Sequence, residues 1–88
     1  MRITVLYRPA SEFGRITEEF IRDYQMRYPD KKIEVINIDS RDGIAMSSLY
    51  DIMQFPTILA TRDDGSLLKS WEGQSFPLMD ELAGYAYG

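Results

Sequence analysis

The alternation of apolar and polar positions predicts seven elements of secondary structure. Apolar runs typical of buried or half-buried strands cover residues 3–7, 33–38, 56–61 and 66–72. Apolar residues at helical spacing cover residues 11–28 and 44–53, and a third helix follows the last strand. The predicted order is therefore β-α-β-α-β-β-α.

Prolines and turn residues mark where these elements end. Pro29 ends the first helix, because the residue before a proline disfavours helical backbone. The pair Asp64–Gly65 predicts a tight hairpin turn between the third and fourth strands. Ser75 is predicted to cap the last helix, with Pro77 in its first turn.

Apolar residues spaced three and four positions apart lie on one face of each predicted helix, and we expect these faces to be buried. These faces are formed by Phe13, Ile16, Phe20 and Tyr24, by Ala45, Leu49 and Ile52, and by Met79, Leu82, Ala83 and Ala86. The second strand is so apolar that we expect it to be central or well covered. Trp71 is expected to pack under the final helix rather than to mark a contact surface.

The order of the elements predicts the topology of the sheet. A helix joins the first two strands, which requires a parallel pair, whereas the last two strands form an antiparallel hairpin. We therefore expect one α/β domain over residues 1–88, with a four-stranded mixed sheet flanked by three helices.

The composition removes several classes of function. The chain has no cysteine and no histidine, so it has neither a thiolate nor the side chain that most often moves protons near neutral pH. A net charge of −4 with scattered basic residues argues against nucleic-acid binding. The chain lacks a long apolar run and a signal pattern, so we expect no membrane attachment and a soluble cytoplasmic protein.

Clustered aspartates are the one compositional hint of a metal. Asp39, Asp42, Asp63 and Asp64 lie in two polar loops that lack the ligand spacing of a calcium loop. We expect these side chains to act in loops and helix caps, and we expect neither a metal ion nor a cofactor.

The order of the elements, together with three local motifs, resembles a thioredoxin or glutaredoxin domain. The run Leu6–Arg15 is similar to the strand-to-helix junction of glutaredoxins, where a tyrosine, a proline and a small residue precede Cys-Pro-Tyr-Cys. In that alignment Ser11 and Gly14 occupy the two cysteine positions. The segment Gln54–Leu59 resembles the family's Val-Pro-Thr segment, whose proline is cis. Residues 63–65 and 72–73 resemble its terminal hairpin and glycine.

This resemblance implies a thioredoxin-like fold but not the family's chemistry. Thiol exchange needs a low-pKa thiolate at the start of the helix and a second cysteine that resolves the mixed disulfide. Both sulfurs are missing here, and the buried aspartate of many thioredoxins corresponds to Val5. We therefore predict that the domain is not a thiol-disulfide oxidoreductase.

The resemblance also implies a candidate binding groove. It would be formed by Pro9, Ser11, Gly14, Phe55, Pro56 and Thr57. In the family, the backbone beside the cis proline pairs with an extended peptide or with glutathione. Each position also has a structural interpretation: Ser11 as a helix N-cap, Gly14 as a position released from selection, and Pro56 as a rigid turn.

Three functions are compatible with these residues. The leading hypothesis is a redox-inactive thioredoxin-like domain that binds a protein, a peptide or a second copy of itself through this groove. The first alternative is a glutathione- or small-thiol-binding enzyme that uses Ser11, with Arg8 and Arg15 as candidate carboxylate contacts. The second is a regulatory switch resembling the circadian KaiB proteins. Tyr85 and Tyr87, expected to be exposed, would suit a homodimer or partner contact.

Overall fold

The computed structural model of the chain describes residues 1–73 and 76–87. Its elements are β1 (Arg2–Tyr7), α1 (Gly14–Arg27), β2 (Ile33–Asn37), α2 (Arg41–Leu49), β3 (Thr57–Thr61), β4 (Leu67–Glu72) and α3 (Met79–Tyr87). The predicted order β-α-β-α-β-β-α and the four-stranded mixed sheet are confirmed.

Strand β1 occupies the interior of the sheet, whose strand order is β2-β1-β3-β4. It pairs in parallel with β2 and antiparallel with β3, so that Val5 lies between Val35 and Ile58. Strands β3 and β4 form the predicted hairpin, in which Gly65 takes a positive φ of 92°. This conformation is one that glycine adopts without the steric cost of a side chain.

Alternate residues of β1 and β3 enter two separate cores, one on each face of the sheet. Helices α1 and α3 cover one face, where the buried residues are Ile3, Val5, Tyr7, Tyr24, Ile58, Ala60, Leu82 and Ala83. Helix α2 lies on the other face, where the buried residues are Leu6, Ile38, Ile52 and Leu59. Each fully buried leucine or isoleucine stabilises the fold by roughly 1.5–3 kcal/mol, so these two faces supply most of the hydrophobic stabilisation.

Strand β2 departs from the prediction, because it forms an edge of the sheet and is neither central nor well covered. Val35 is 47% exposed, and Ile33 and Ile36 are half-buried. The apolar run correctly indicated a strand. It did not indicate the strand's position in the sheet, because an edge strand that is only partly covered can be as apolar as a central strand.

The buried face of α1 also differs from the predicted stripe. Gly14, Thr17 and Tyr24 are buried, whereas Ile16 is 51% exposed. The hydroxyl of Thr17 donates a hydrogen bond to the Phe13 carbonyl at 2.8 Å, so this polar side chain is satisfied within its own helix. Gly14 brings the first turn against the backbone of the preceding loop, and Ile16 lies outside the core.

Helix α2 begins three residues earlier than predicted, at Arg41. Ser40 is its N-cap and accepts a hydrogen bond from the Gly43 N–H at 3.0 Å. The buried face of α2 also differs from the predicted one. Leu49 is 72% exposed and Ala45 is exposed, while Ile52 is buried beyond the end of the helix.

Helix α3 begins later than predicted, at Met79, and the Leu82 N–H bonds to the Leu78 carbonyl at its start. Pro77 therefore precedes the first turn. Leu82 and Ala83 are buried as predicted. The predicted cap Ser75 and the side chains of Ala86 and Tyr87 lie outside the described residues.

Trp71 packs against the final helix, as expected. Its ring contacts that of Tyr85 edge to face, with 5.5 Å between the centroids, and both rings are half-buried against the α1–α3 core. The expectation that Tyr85 is an exposed contact residue is therefore wrong, since this ring is used in packing.

Gly43 allows α2 to begin against the end of β2. A β-carbon at this position would lie 2.2 Å from the Asn37 carbonyl oxygen and 2.8 Å from the Ile38 Cα. Both neighbours are backbone atoms, which no rotamer change can move. The close approach of helix and strand here therefore requires glycine.

We expect Gly43→Ala to lower the free energy of unfolding by about 1–3 kcal/mol, the usual cost of overpacking a closely packed site. Gly84→Ala is the matched control, because nothing lies within 4 Å of a β-carbon built at Gly84 in α3. That change is expected to raise the free energy of unfolding by up to about 1 kcal/mol through helix propensity. Urea unfolding followed by circular dichroism measures both. Equal effects of the two substitutions would contradict the close approach at Gly43.

Candidate functional site

A cleft of about 270 Å³ opens between the loop that follows β1 and the loop that precedes β3. Both loops lie at the end of the sheet where β1 and β2 terminate, which in open α/β sheets is the usual position of a ligand site. The cleft is lined by Tyr7, Arg8, Ser11, Glu12, Phe13, Thr17, Ile38, Phe55 and Pro56. Aromatic and aliphatic side chains make up most of this surface.

Two consecutive turns carry the chain from β1 to α1. The Arg8 carbonyl accepts hydrogen bonds from the Ser11 N–H at 3.1 Å and from the Ser11 hydroxyl at 2.7 Å. The Ser11 carbonyl in turn accepts from the Gly14 N–H at 3.0 Å. Ser11 is therefore not the N-cap of α1, which corrects the structural interpretation of this residue. The N-cap is Phe13, and no side chain caps the helix there.

Gly14 lies beneath this loop rather than on the surface of the cleft. A β-carbon at Gly14 would lie 2.2 Å from the Pro9 carbonyl oxygen and 2.8 Å from the Pro9 carbonyl carbon. The glycine is thus required by the close approach of the backbone, and the hypothesis that this position is merely released from selection is wrong. For the same reason, the place aligned with the family's second cysteine has no room for a side chain.

The opposite wall of the cleft comes from the segment Phe55-Pro56-Thr57. The Phe55–Pro56 peptide bond is cis, Pro56 is buried, and Phe55 is half-buried. Thr57 begins β3 opposite Leu6 and donates its hydroxyl to the Gln54 carbonyl. Among the described residues, none forms a hydrogen bond with the backbone of Phe55. Phe55 itself lines the cleft, so this backbone segment lies beside the apolar surface.

An ion pair joins the ends of β1 and β2 at the rim. The Arg8 guanidinium donates from Nε to Asp39 Oδ2 at 3.0 Å and from the terminal nitrogen to Asp39 Oδ1 at 3.1 Å. Hydrogen bonding to Arg8 lowers the pKa of Asp39, and the same pair raises the pKa of Arg8. This two-point geometry fixes the plane of the guanidinium.

A second polar contact joins the cleft-lining residue Tyr7 to α1. The Tyr7 hydroxyl donates to Glu18 Oε2 on α1 at 2.7 Å. Burial, the hydrogen bond to Glu18 and the charge of Glu18 raise the pKa of Tyr7 from 10 to about 12. The phenol therefore remains a neutral hydrogen-bond donor at physiological pH and holds β1 to α1.

The structure places the six predicted groove residues in different positions. Ser11, Phe55 and Pro56 line the cleft. Gly14 and Thr57 are buried beside it, and Pro9 supplies the carbonyl that packs on Gly14.

Sequence reasoning left several cleft residues out of the predicted groove. The cleft is also lined by Arg8, for which the sequence suggests only a carboxylate contact. The other lining residues outside the predicted groove are Tyr7, Glu12, Phe13, Thr17 and Ile38. The signal for the Arg8–Asp39 pair was present in the sequence. Each residue directly follows or lies close to the end of one of two strands predicted to be parallel, and such ends meet at one edge of a sheet.

The described residues form neither a metal site nor a membrane span. Within residues 1–73 and 76–87, no group of three His, Cys, Asp or Glu side chains is placed to hold a metal ion. None of the helices in those ranges combines the length and apolar composition needed to span a bilayer.

We expect Gly14→Cys to lower the free energy of unfolding by about 1–3 kcal/mol, because its β-carbon meets the Pro9 carbonyl. Ser11→Cys is the matched control. It exchanges one exposed hydroxyl hydrogen bond for a weaker one, at a cost of about 1 kcal/mol or less. Urea unfolding under reducing conditions measures both. A Gly14→Cys protein as stable as Ser11→Cys would refute the close approach.

The raised pKa of Tyr7 predicts a loss of stability at high pH. Because the folded-state pKa of about 12 exceeds the ordinary value of 10, the stabilisation is fully present below pH 10 and disappears as the pH rises through 12. Glu18→Gln should lower the pKa of Tyr7 while burial keeps it above 10. NMR titration of the Tyr7 ring carbons measures this shift. Glu19→Gln, which alters a carboxylate paired with Arg15, should leave it unchanged.

Comparisons with known proteins identify the fold. No protein-family model matches the chain, and no curated protein sequence is significantly similar to it. Solved structures do match. Mitochondrial thioredoxin 3 from Saccharomyces cerevisiae superimposes with a TM-score of 0.69 at 14% identity, over 97% of this chain and 74% of that one.

Two further thioredoxins give the same result. Thioredoxin O2 from Arabidopsis thaliana matches with a TM-score of 0.67 at 14% identity, over 94% of this chain and 69% of that one. Thioredoxin 1 from Thermosipho africanus matches with a TM-score of 0.65 at 16% identity, over 97% and 89%. This chain therefore has the thioredoxin-like fold and, having no cysteine, lacks the Cys-x-x-Cys motif.

Proposed function

We propose that this domain is a redox-inactive binding module that holds an extended segment of a protein partner in the cleft. The observation that carries the proposal is the combination of an open apolar cleft with a backbone edge at Phe55 that has no partner among the described residues. The absence of cysteine removes thiol exchange as the use of this surface.

The size of the cleft favours a side chain of a partner over a whole small molecule. Its volume of about 270 Å³ lies just below the range of roughly 300–1,000 Å³ that is usual for small-molecule pockets. Phe13, Phe55 and Pro56 offer flat or rigid apolar surfaces. Such surfaces bind an inserted apolar side chain at little cost in conformational entropy.

The Phe55 backbone supplies the second part of the recognition. An extended peptide that runs along an exposed backbone edge gains main-chain hydrogen bonds, while pockets beside the edge select its side chains. Phe55 lies immediately before Pro56 and β3, so its peptide groups adjoin the apolar surface. One partner segment can therefore engage both features at once.

The alternative of a glutathione- or small-thiol-binding enzyme gains no support from these contacts. The Ser11 hydroxyl donates its proton to the Arg8 carbonyl, and the Arg8 guanidinium is held by Asp39. Arg15 pairs with Glu19 on the exposed side of α1. The groups on which that hypothesis depends are thus engaged elsewhere.

An amide NMR titration tests the proposal. We expect a pool of extended peptides to cause saturable shifts at Ser11, Gly14, Phe55 and Thr57, and glutathione to cause none. Saturable shifts with glutathione would favour the enzyme hypothesis. If neither the peptides nor glutathione shift these amide signals, the cleft is not a binding site.

A pair of variants localises the binding. Phe55→Ala is expected to weaken peptide binding by about tenfold or more, since truncation of a central aromatic contact commonly costs over 1 kcal/mol. Met53→Ala is the matched control, because Met53 is 84% exposed and does not line the cleft. Equal loss of affinity in both variants would place the contact outside the cleft.

A further inference from the structure

We propose that the cleft selects a partner segment in which a large apolar side chain is flanked by lysine or arginine. This inference rests on the proposed function, since it names the chemistry of the segment that the same cleft would hold. It follows from the way in which charges around the apolar surface are paired.

The positive charge at the cleft is already neutralised. Arg8 is the one cationic side chain among the lining residues. Its guanidinium donates two hydrogen bonds to Asp39, at 3.0 and 3.1 Å. An acidic ligand would have to displace a two-point ion pair and would leave Asp39 without its partner. The geometry therefore disfavours a carboxylate or phosphate at this rim.

Negative charge at the cleft, by contrast, is not neutralised. Glu12 lines the cleft, and Glu18 holds the hydroxyl of the lining residue Tyr7. Within the described part of the chain, neither carboxylate forms an ion pair. Glu18 uses one oxygen for Tyr7, and a carboxylate can accept further hydrogen bonds. A cation at the mouth of the cleft would thus find two carboxylates that form no ion pair within the described part of the chain.

The start of α1 reduces this negative potential without reversing it. The helix begins at Gly14, close to Glu12, and its first turn contains no acidic residue. A helix N-terminus is equivalent to about half a positive charge, which is less than the charge of the two carboxylates. The chain as a whole carries a net charge of −4, so the long-range field also attracts a basic segment.

Three acetylated and amidated pentapeptides test the inference. Each has a central phenylalanine, flanked on both sides by lysine, by serine or by glutamate. Dissociation constants come from shifts of the Ser11 and Phe55 amides in NMR titrations at low salt. We expect the lysine peptide to bind about tenfold more tightly than the glutamate peptide, with the serine peptide between them, and the difference to shrink as salt is added.

A pair of variants assigns the preference to the cleft. Glu12→Gln should reduce the lysine-over-glutamate ratio about threefold, the loss expected for one partly exposed charge contact. Glu81→Gln in α3 makes the same charge change outside the cleft lining and should leave the ratio unchanged. Equal effects of both variants would attribute the preference to net charge alone and overturn the proposal.

The two proposals fail in distinguishable ways. If all three peptides shift the cleft amides with equal affinity, or if the glutamate peptide binds most tightly, the charge preference is wrong and the binding function stands. If no peptide shifts these amides at millimolar concentration, the proposed function fails and the charge preference fails with it.

Discussion

The contact between Gly14 and the Pro9 carbonyl is the constraint on which the candidate site depends. Because no side chain separates them, the loop after β1 lies directly on the first turn of α1. Gly43 makes the equivalent contact with the end of β2. Both helices therefore start within a few residues of the strands that precede them, and their loops converge on one edge of the sheet. Arg8 and Asp39 meet at this edge because β1 and β2 are parallel neighbours that end side by side.

The polar contacts keep the cleft in shape while they leave its apolar surface open. The bond from Tyr7 to Glu18 ties the end of β1 to α1, and the Arg8–Asp39 pair ties β1 to the loop after β2. The acceptors of these contacts, Glu18 and Asp39, are not among the residues that line the cleft. The walls of the cleft are thus fixed by side-chain contacts between neighbouring segments of the chain.

The sequence predicted the architecture better than it predicted the faces of the elements. Strand β1 and the Asp64–Gly65 hairpin follow from local signals that tertiary contacts do not alter. The burial of Thr17 instead of Ile16 depends on how the helix packs in the tertiary structure, which the spacing of apolar residues does not report. Likewise, the place of β2 at the edge depends on where β3 inserts. Glu12, Tyr7 and Phe55 meet in one cleft because β1 and β3 are paired, which places the loop after β1 beside the loop before β3. No sequence motif indicates this.

The geometry at position 14 bears on how this site relates to the thiol chemistry of its fold. A substitution that removed a cysteine but kept the backbone would leave a position able to hold a side chain. Here a β-carbon at Gly14 would lie 2.2 Å from the Pro9 carbonyl oxygen. The path of the loop is therefore incompatible with a cysteine at this position. The backbone edge at Phe55 and the apolar walls depend on neither sulfur. The thiols and the apolar cleft are thus separable features of this fold, and this chain has the cleft without the thiols.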